Sequence, residues 1–374
     1  MKIVCDKKIL STALTNVSRA IATKGTVPIL EGILISASDN HITLSGYDLE
    51  VGITTNISAN VFKSGAIVLN ARLFLEIVKR MPQDDISISV NNKNQVIISS
   101  GIAEFFICTE SSSEYPNIPT LNNQSFININ AGLLKEMIDQ TIFAIAVNDS
   151  KPIHMGSLFE CANNTLNIIS VDGVRLALKN TNIDLVDNKS FVVPGKTLAE
   201  ISKLIDNPNA TIRINSADKY ATFQIDEYLV TSRLLEGNFL DYKSSIPHTH
   251  STQITVFTKA LIDSIERTSL IIFDKLKAPI KLSLEENLIK FFCHSSTGDA
   301  YDELACELTG DTFEIGFNSK MILDALRVIK DEKIKILMNG PLSPMKIVPA
   351  EKPDGFIFLV LPVRLKAEDD ISSE

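Results

Sequence analysis

Tryptophan is absent, and aromatic residues make up only 6% of the 374-residue chain. A surface that holds single strands by stacking bases on aromatic side chains has little to draw on here. Cysteine is scarce. The five present (Cys5, Cys108, Cys161, Cys293, Cys306) form no CxxC pair and have no histidine at zinc-ligand spacing. They lie mostly in apolar strand-like runs and read as buried free thiols in a reducing compartment. No apolar run approaches the ~20 residues of a membrane-spanning helix; Phe356–Val363 is only strand length. Met1-Lys2-Ile3-Val4-Cys5-Asp6-Lys7 lacks the apolar core of a secretory signal. A soluble cytoplasmic protein is expected.

Catalytic signatures are missing too. There is no GxGxxG, no Walker loop and no GxSxG. The five histidines (His41, His154, His248, His250, His294) are scattered, and His248-Thr249-His250 reads as solvated linker. Ser216-Ala217-Asp218-Lys219 matches SxxK only as text, because it falls in a hairpin turn. Asp299, Asp302 and Glu303 read as a solvated acidic loop in preference to a metal cluster. No catalytic residue, metal or cofactor is expected, so the chain is read as a non-enzyme.

What is present is ordinary in composition and unusual in order. The hydrophobic fraction of 45% and charged fraction of 22% are those of a globular protein. The net charge of −9 argues, as an average, against a nucleic-acid binder; an acidic chain can still carry one basic face. At roughly 100–200 residues per domain, the length allows two to four domains.

A repeat chooses three. Asn70-Ala71-Arg72-Leu73-Phe74-Leu75-Glu76-Ile77-Val78-Lys79-Arg80 returns as Pro194-Gly195-Lys196-Thr197-Leu198-Ala199-Glu200-Ile201-Ser202-Lys203-Leu204. It returns again as Asn318-Ser319-Lys320-Met321-Ile322-Leu323-Asp324-Ala325-Leu326-Arg327-Val328, with 194 − 70 = 124 and 318 − 194 = 124. Each copy follows an apolar strand-like run and reads as an amphipathic helix, with an apolar face at Leu73/Ile77, Thr197/Ile201 and Met321/Ala325. Arg72, Lys196 and Lys320 share one position; Lys79, Lys203 and Arg327 share another, seven residues on. Seven residues is about two helical turns, so each pair lies on one face. A repeated core position needs only packing to explain it, whereas a repeated cation off the core points to a shared anionic partner.

The rest of each third follows the same order. A strand (Lys2–Cys5, Phe126–Asn130, Ile254–Phe257) leads into a helix whose apolar stripe is Leu10/Leu14/Val17/Ile21, Leu134/Ile138/Thr141/Ile145 or Leu261/Ile265/Thr268/Ile272. Next come Pro28-Ile29, Pro152-Ile153 and Pro279-Ile280, then two strands joined by turns at Asp39-Asn40, Asn163-Asn164 and Glu286-Asn287, then an acidic turn residue at Asp48, Asp172 and Asp299. After the repeated helix, a hairpin (Ile88/Val90, Ile212/Ile214, Ile336/Met338) precedes an extended run at Glu104–Thr109, Tyr228–Leu234 and Gly355–Leu365. The order β-α-β-β-(β)-β-α-β-β-β predicts an α+β fold of three units, each with two helices packed on antiparallel sheet. The expected domains are 1–123, 124–250 and 251–374, the last with a short charged tail at 366–374.

Two candidate sites follow. Further cations lie on or beside the first helix of each unit: Lys8, Arg19 and Lys24; Lys135 and Lys151; Lys259 and Arg267. With the helices inward around an axis, such cations form a surface that holds duplex phosphates without reading bases. The second candidate is Asp172-Gly173-Val174-Arg175-Leu176. Arg175 either satisfies carbonyls in a buried corner or, with the turn glycine and neighbouring apolar side chains, forms a peptide-docking pocket.

Taken together, Thr26-Val27-Pro28-Ile29-Leu30, Ser170-Val171-Asp172-Gly173-Val174-Arg175-Leu176-Ala177, Phe239-Leu240-Asp241-Tyr242, Ile315-Gly316-Phe317-Asn318 and Leu361-Pro362-Val363-Arg364-Leu365 resemble the bacterial DNA sliding clamps, the beta subunit of DNA polymerase III. The resemblance covers Met1 to Leu365. It implies a homodimeric ring, closed head to tail, that encircles duplex DNA and tethers the replicative polymerase without catalysis, opened by a clamp loader. Residues matching the family's DNA contacts are Lys24, Arg72, Lys79, Asn148, Lys151, Lys196 and Lys203; Lys320 and Arg327 join them through the repeat. The implied partner-peptide pocket is His154, Val171, Gly173, Val174, Arg175, Leu176, Leu240, Leu359, Val360, Leu361, Pro362, Val363 and Arg364. His154, Val174 and Leu240 depart from the family pattern, which has an apolar residue, His or Tyr, and Pro there; the tail at 366–374 is expected to tune partner access. The implied dimer seam is Ile77, Phe105 and Ile107 against Leu270 and Ile271. The alternatives are a hydrolase-like enzyme with a cleft around Asp172, Arg175 and a histidine, or a monomeric peptide-binding scaffold with no role on DNA.

Overall fold

A computed structural model describes residues 1–22, 27–91, 95–121, 126–148, 151–184, 187–272, 279–352 and 355–365. Its contacts gather into two compact units, Met1–Lys135 with Lys196–Leu234, and Glu136–Gly195 with Leu235–Glu374. The middle third of the sequence is therefore divided between them.

The first unit holds two antiparallel sheets. One has five strands in the order Asn60–Lys63, Lys2–Asp6, Asp85–Val90, Gln95–Ser100, Ala103–Cys108. The other has eight, in the order Ile127–Asn130, Thr211–Ala217, Tyr220–Ile225, Tyr228–Arg233, Val51–Ser58, His41–Tyr47, Gly32–Ser38, Gly65–Asn70. The second unit holds a nine-stranded sheet (Lys189–Pro194, Gly156–Ala162, Thr165–Val171, Arg175–Asn182, Phe356–Val360, Met345–Pro349, Lys333–Met338, Thr252–Phe257, Glu307–Gly310) and a four-stranded one (Gly298–Ala305, Leu288–Ser295, Ile280–Glu285, Glu314–Phe317). Alternating burial along Gln95–Ser100 and Lys333–Met338 is the period-two signature of strands with one buried face. Asp39, Asn163, Asn164 and Asn287 occupy the hairpin turns at φ of 50°, 52°, 57° and 58°, a left-handed region that Asn and Asp tolerate.

One joint occurs twice. Tyr228–Arg233 pairs with Val51–Ser58, Tyr228 facing Thr55. Arg175–Asn182 pairs with Phe356–Val360, Lys179 facing Phe356. These are equivalent positions: 55 + 124 = 179, and 228 + 128 = 356 after a four-residue insertion. In both, the last strand of one third extends a sheet begun by the third before it.

The helices start where polar side chains satisfy otherwise unpaired N–H groups. Asp6 accepts from Ile9 N at 2.8 Å, Asn70 from Leu73 N at 3.1 Å and Asn130 from Leu133 N at 3.0 Å. Asn318 accepts from the amides of Lys320 and Met321.

Several sequence expectations need correcting. Each first-helix stripe outruns its helix: Lys7–Val17, Ala131–Asp139 and Thr258–Ser269 end before Ile21, Ile145 and Ile272. The buried row of the repeated helix begins one residue later than expected, at Phe74/Ile77/Val78, Leu198/Ile201/Ser202 and Ile322/Ala325/Leu326, while Leu73 is 50% exposed. The two rows abut, so pattern alone did not separate them. Thr197 is nevertheless buried, its hydroxyl 3.0 Å from that of Ser232. Sheet register also moves the third copy. Ile33 pairs with Leu69 and Ile280 with Phe317, so Ile280 corresponds to Ile33 and not to Ile29. Asp299, Asp302 and Glu303 lie on strand Gly298–Ala305 and not in a loop, whereas Asp48 and Asp172 do make the expected turns. The extended run at Gly355–Leu365 is a strand only over Phe356–Val360. Cys5, Cys161 and Cys293 are buried free thiols, but Cys108 is exposed on an edge strand.

In the second unit Glu136 lies 3.2 Å from both Lys179 and Lys330. Burial alone would raise its carboxyl pKa, but the two lysines outweigh it and hold it below 4.5. Glu160 is lowered likewise by Tyr242, Lys243 and Asn167 against burial. Asp302 is lowered, again against burial, mainly by Arg267. Folded-state pKa values below the unfolded ones mean stability that is complete above the unfolded values, 4.5 for the two Glu and 3.8 for Asp302, and fades as pH falls through the folded ones. The melting temperature should drop as pH is lowered from 5 towards about 3, and Glu136→Gln should flatten that drop. A melting temperature independent of pH across that range would contradict this.

Candidate functional site

Arg72 and Lys79 stand exposed on helix Ala71–Arg80, with no carboxylate partner among the described residues. Glu76, between them on the same stripe, turns to Arg80 at 3.0 Å. The middle copy differs. Lys196 donates to Asp48, whose side chain is only 6% exposed and already accepts from Glu50 N at 3.0 Å and Val51 N at 2.7 Å. Lys203 pairs with Glu200 at 2.8 Å, and Glu200 also takes Arg19 at 3.3 Å. In the third copy Lys320 is exposed without a carboxylate partner among the described residues, while Arg327 pairs with Glu266 at 2.8 Å. Asn148 and Lys151 are exposed in the second unit; Lys24 lies outside the described residues, as does the tail at 366–374.

Of the cations beside the first helices, Lys135 is bound to the backbone and hydroxyl of Ser202, Lys259 to Asp263 and Arg267 to Asp302. The carboxylates Glu76, Glu200 and Asp324 were missed in the sequence. Their signal was present: 76 + 124 = 200 and 200 + 124 = 324. Asp48 as the partner of Lys196 had none, because 148 residues separate the two.

Eight of the thirteen pocket candidates line one cavity of about 120 Å³ in the second unit: Val171, Gly173, Val174, Arg175, Leu176, Leu240, Leu359 and Leu361, joined by Ser245 and Pro344. The turn builds it. Asp172 accepts from Val174 N at 3.1 Å and Arg175 N at 3.0 Å, and between them Gly173 takes φ 90°, which glycine adopts without strain and which Leu49 takes at φ 76° in the equivalent turn. A Cβ on Gly173 would meet nothing within 4 Å, so the glycine serves the turn and not a close approach. Leu361 N donates to Val174 O at 2.8 Å and closes one wall. Arg175 is spent on structure: Nε donates to Asp172 and Nη1 to Asp324, both at 2.8 Å, and the guanidinium lies 5.5 Å from the Phe143 ring. The remaining lining is mostly aliphatic, suited to apolar side chains of an extended peptide.

Five candidates are not in that lining. His154 is buried in the Pro152–Met155 turn, edge-on to Phe239 with ring centroids 5.9 Å apart. Val360 is buried in the core, Val363 bridges to Gly316, and Pro362 and Arg364 lie past the strand. Ser245 and Pro344 carried no sequence signal. No histidine lines the cavity, and Arg175 is committed to two aspartates, so a hydrolytic cleft is not favoured. Among the described residues no cluster of His, Cys, Asp and Glu could hold a metal, and no helix is long and apolar enough to cross a membrane.

Of the seam candidates, Phe105 and Leu270 are exposed, and Ile107 and Ile271 half-buried. Ile77 is a correction: it is buried in the core of its own unit and presents almost no surface. Phe105 and Ile107 lie on Ala103–Cys108, an edge of the five-stranded sheet; Gly298–Ala305 is an edge of the four-stranded one.

Comparison with known proteins agrees over nearly the full length. Sequence models of the DNA polymerase III beta subunit match as its N-terminal domain over residues 1–119, its central domain over 128–241 and its C-terminal domain over 243–364. The beta sliding clamp of Bacillus subtilis is 32% identical, over 97% of this chain and 100% of its own length. That of Halalkalibacterium halodurans is 31% identical with the same coverage. Among solved structures, a sliding clamp from Bacillus subtilis superimposes with a TM-score of 0.95 at 32% identity, covering 98% of this chain and 100% of that one. A putative DNA polymerase III beta subunit from Eubacterium rectale gives 0.94 at 34%, covering 97% and 99%. The three-domain α+β fold, the repeated helices and these matches agree: the chain belongs to the beta subunit family of DNA polymerase III, the sliding clamps.

Proposed function

We propose that two copies of this chain close head to tail into a ring that encircles duplex DNA, slides along it and tethers the replicative polymerase in the cytoplasm. It catalyses nothing. The expected partners are duplex DNA of any sequence, the polymerase, a clamp loader that opens the ring, and short apolar peptides seated in the cavity around Leu176 and Leu359. The three domains are taken as 1–123, 124–250 and 251–374.

The observation that carries the ring is the repeated joint with its unused halves. Val90–Val96–Ile107 repeats Ile214–Phe223–Val230 across the ladders. Leu282–Phe291–Asp302 repeats Ile35–Leu44–Thr55. Ala103–Cys108 is thus the counterpart of the joining strand Tyr228–Arg233, and Gly298–Ala305 that of its acceptor Val51–Ser58. Both remain edges within one chain. Unpaired edges call for a partner. Carrying the joint across two copies gives a register with Phe105 opposite Asp302 of the partner subunit, Phe106 opposite the partner's Tyr301, and Ile107 opposite the partner's Ala300. Five strands and four would then form one nine-stranded sheet (5 + 4 = 9). Such a heterologous contact, made twice, closes.

Retention on DNA tests the ring. The protein loaded on nicked circular DNA should stay bound through gel filtration and fall off once the circle is cut; equal loss from circle and line would remove the proposal. Changing Arg72, Lys79, Lys196 and Lys203 together to Ala should weaken retention and flatten its salt dependence. A monomeric peptide-binding scaffold would show neither effect.

A further inference from the structure

The repeated helix carries a carboxylate as faithfully as its cations. Arg72/Glu76/Lys79, Lys196/Glu200/Lys203 and Lys320/Asp324/Arg327 all have spacing 0, 4, 7, which is one helix face. The structure spends the three carboxylates differently. Glu76 turns to Arg80, a side chain 80% exposed, and leaves Arg72 and Lys79 uncompensated. Asp324 turns to Arg175. Glu200 stays on the stripe, on Lys203, and adds Arg19. Lys196 is met by Asp48.

We propose that Asp48 and Glu200 act as built-in competitors for phosphate, so that DNA reaches Lys196 and Lys203 only by displacing an internal carboxylate. This rests on the reading that these lysines face DNA. Asp48 is suited to the role. Two backbone N–H groups fix its carboxylate, so it does not have to be ordered to receive the lysine. Most exposed pairs are weak partly because both side chains must be ordered; here one already is. Lys196 and Lys203 are about half exposed, at 54% and 53%, so phosphate can still reach their ammonium groups. Arg19, Lys196 and Lys203 (+3) against Asp48 and Glu200 (−2) leave one net positive charge within this ion-paired group, and Lys135 is held on Ser202 of the same helix. The first helix keeps Arg72 and Lys79 (+2) without compensation. Arg72 and Lys79 of the first copy and Lys320 of the third meet a phosphate without displacing a carboxylate among the described residues, whereas contact at the middle copy is an exchange. As a phosphate departs, the lysine returns to its carboxylate and is not left unpaired. Steps along the duplex then cost little.

Asp48→Asn tests this, because the amide oxygen can keep both turn hydrogen bonds while the charge is lost. The variant should hold duplex DNA several-fold more tightly at physiological salt. Its slope of log K against log salt should steepen by about 1.8, or 0.9 for each of two freed lysines per ring, and its diffusion along DNA should slow. In Asp48→Asn/Lys196→Ala the gain should vanish, which a merely structural role for Asp48 does not predict. Melting temperature and dimer mass report folding; if Asp48→Asn does not fold, Glu200→Gln should steepen the slope in the same sense. An unchanged slope in a folded variant, with wild-type retention on circles intact, overturns this inference alone. Wild-type protein not retained on circles overturns the ring and this inference with it.

Discussion

Phe105→Asp should convert the ring into folded monomers and abolish retention on circular DNA. Phe105 is 41% exposed on an edge strand of a single chain, so a charge there costs that chain little. In the proposed seam it faces the partner's Asp302. Within one chain Asp302 is held by Arg267 through two hydrogen bonds, at 2.6 and 2.9 Å, with its pKa lowered. It is ionised at neutral pH, and a second carboxylate opposite it is a like-charge cross-strand pair, which is destabilising. Leaving a charge uncompensated in a closed interface costs about 3–5 kcal/mol. The seam occurs twice per ring, so the dimer dissociation constant should rise by roughly four orders of magnitude or more. Sedimentation or mass photometry at nanomolar protein reads this directly. Ile102→Asp is the control: Ile102 is fully exposed at the tip of the same hairpin, outside the proposed register, and should leave the dimer intact. A Phe105→Asp protein that remains dimeric would show that the edges do not meet as the repeat implies.

The second large effect is expected at Arg175. Its side chain is only 12% exposed and pairs with two aspartates at once. Arg175→Ala leaves Asp172 and Asp324 facing a gap and removes the contact with Phe143. Removing one member of this partly buried network leaves two carboxylates without their donor, at about 1–3 kcal/mol, so the denaturant midpoint should fall. Hydrogen exchange should quicken first in Arg175–Asn182 and in its neighbour Phe356–Val360. The turn that forms one wall of the cavity should loosen, and binding of an apolar peptide should be lost with it. Arg175→Lys should not rescue, because an ammonium cannot reproduce two N–H bonds at fixed angles. A stable variant that still binds peptide would mean Arg175 is dispensable to the pocket.

Local sequence was enough for the elements and for their threefold recurrence. Helix stripes and hairpin turns at Asn and Asp depend on neighbours within a few residues, and such patterns survive in a linear reading. The recurring cations were equally legible, since an offset of 124 needs no structure to be seen. The carboxylates at the same offset, Glu76, Glu200 and Asp324, are just as visible, but which cation each one meets is not.

The three-dimensional structure decided everything that depends on who sits beside whom. Sheet register moved Pro279-Ile280 by four residues, because hydrogen-bonded ladders and not proline spacing define equivalence in strands. Ile77 went to the core of its own unit, since the buried row of its helix begins at Phe74. His154 turned against Phe239, and Ser245 and Pro344 entered the cavity through turns no periodicity describes. Above all, which repeated cations are compensated is a long-range fact. The Lys196–Asp48 pair joins residues 148 apart, and no rule of local spacing brings a buried turn carboxylate to a helix in the next repeat.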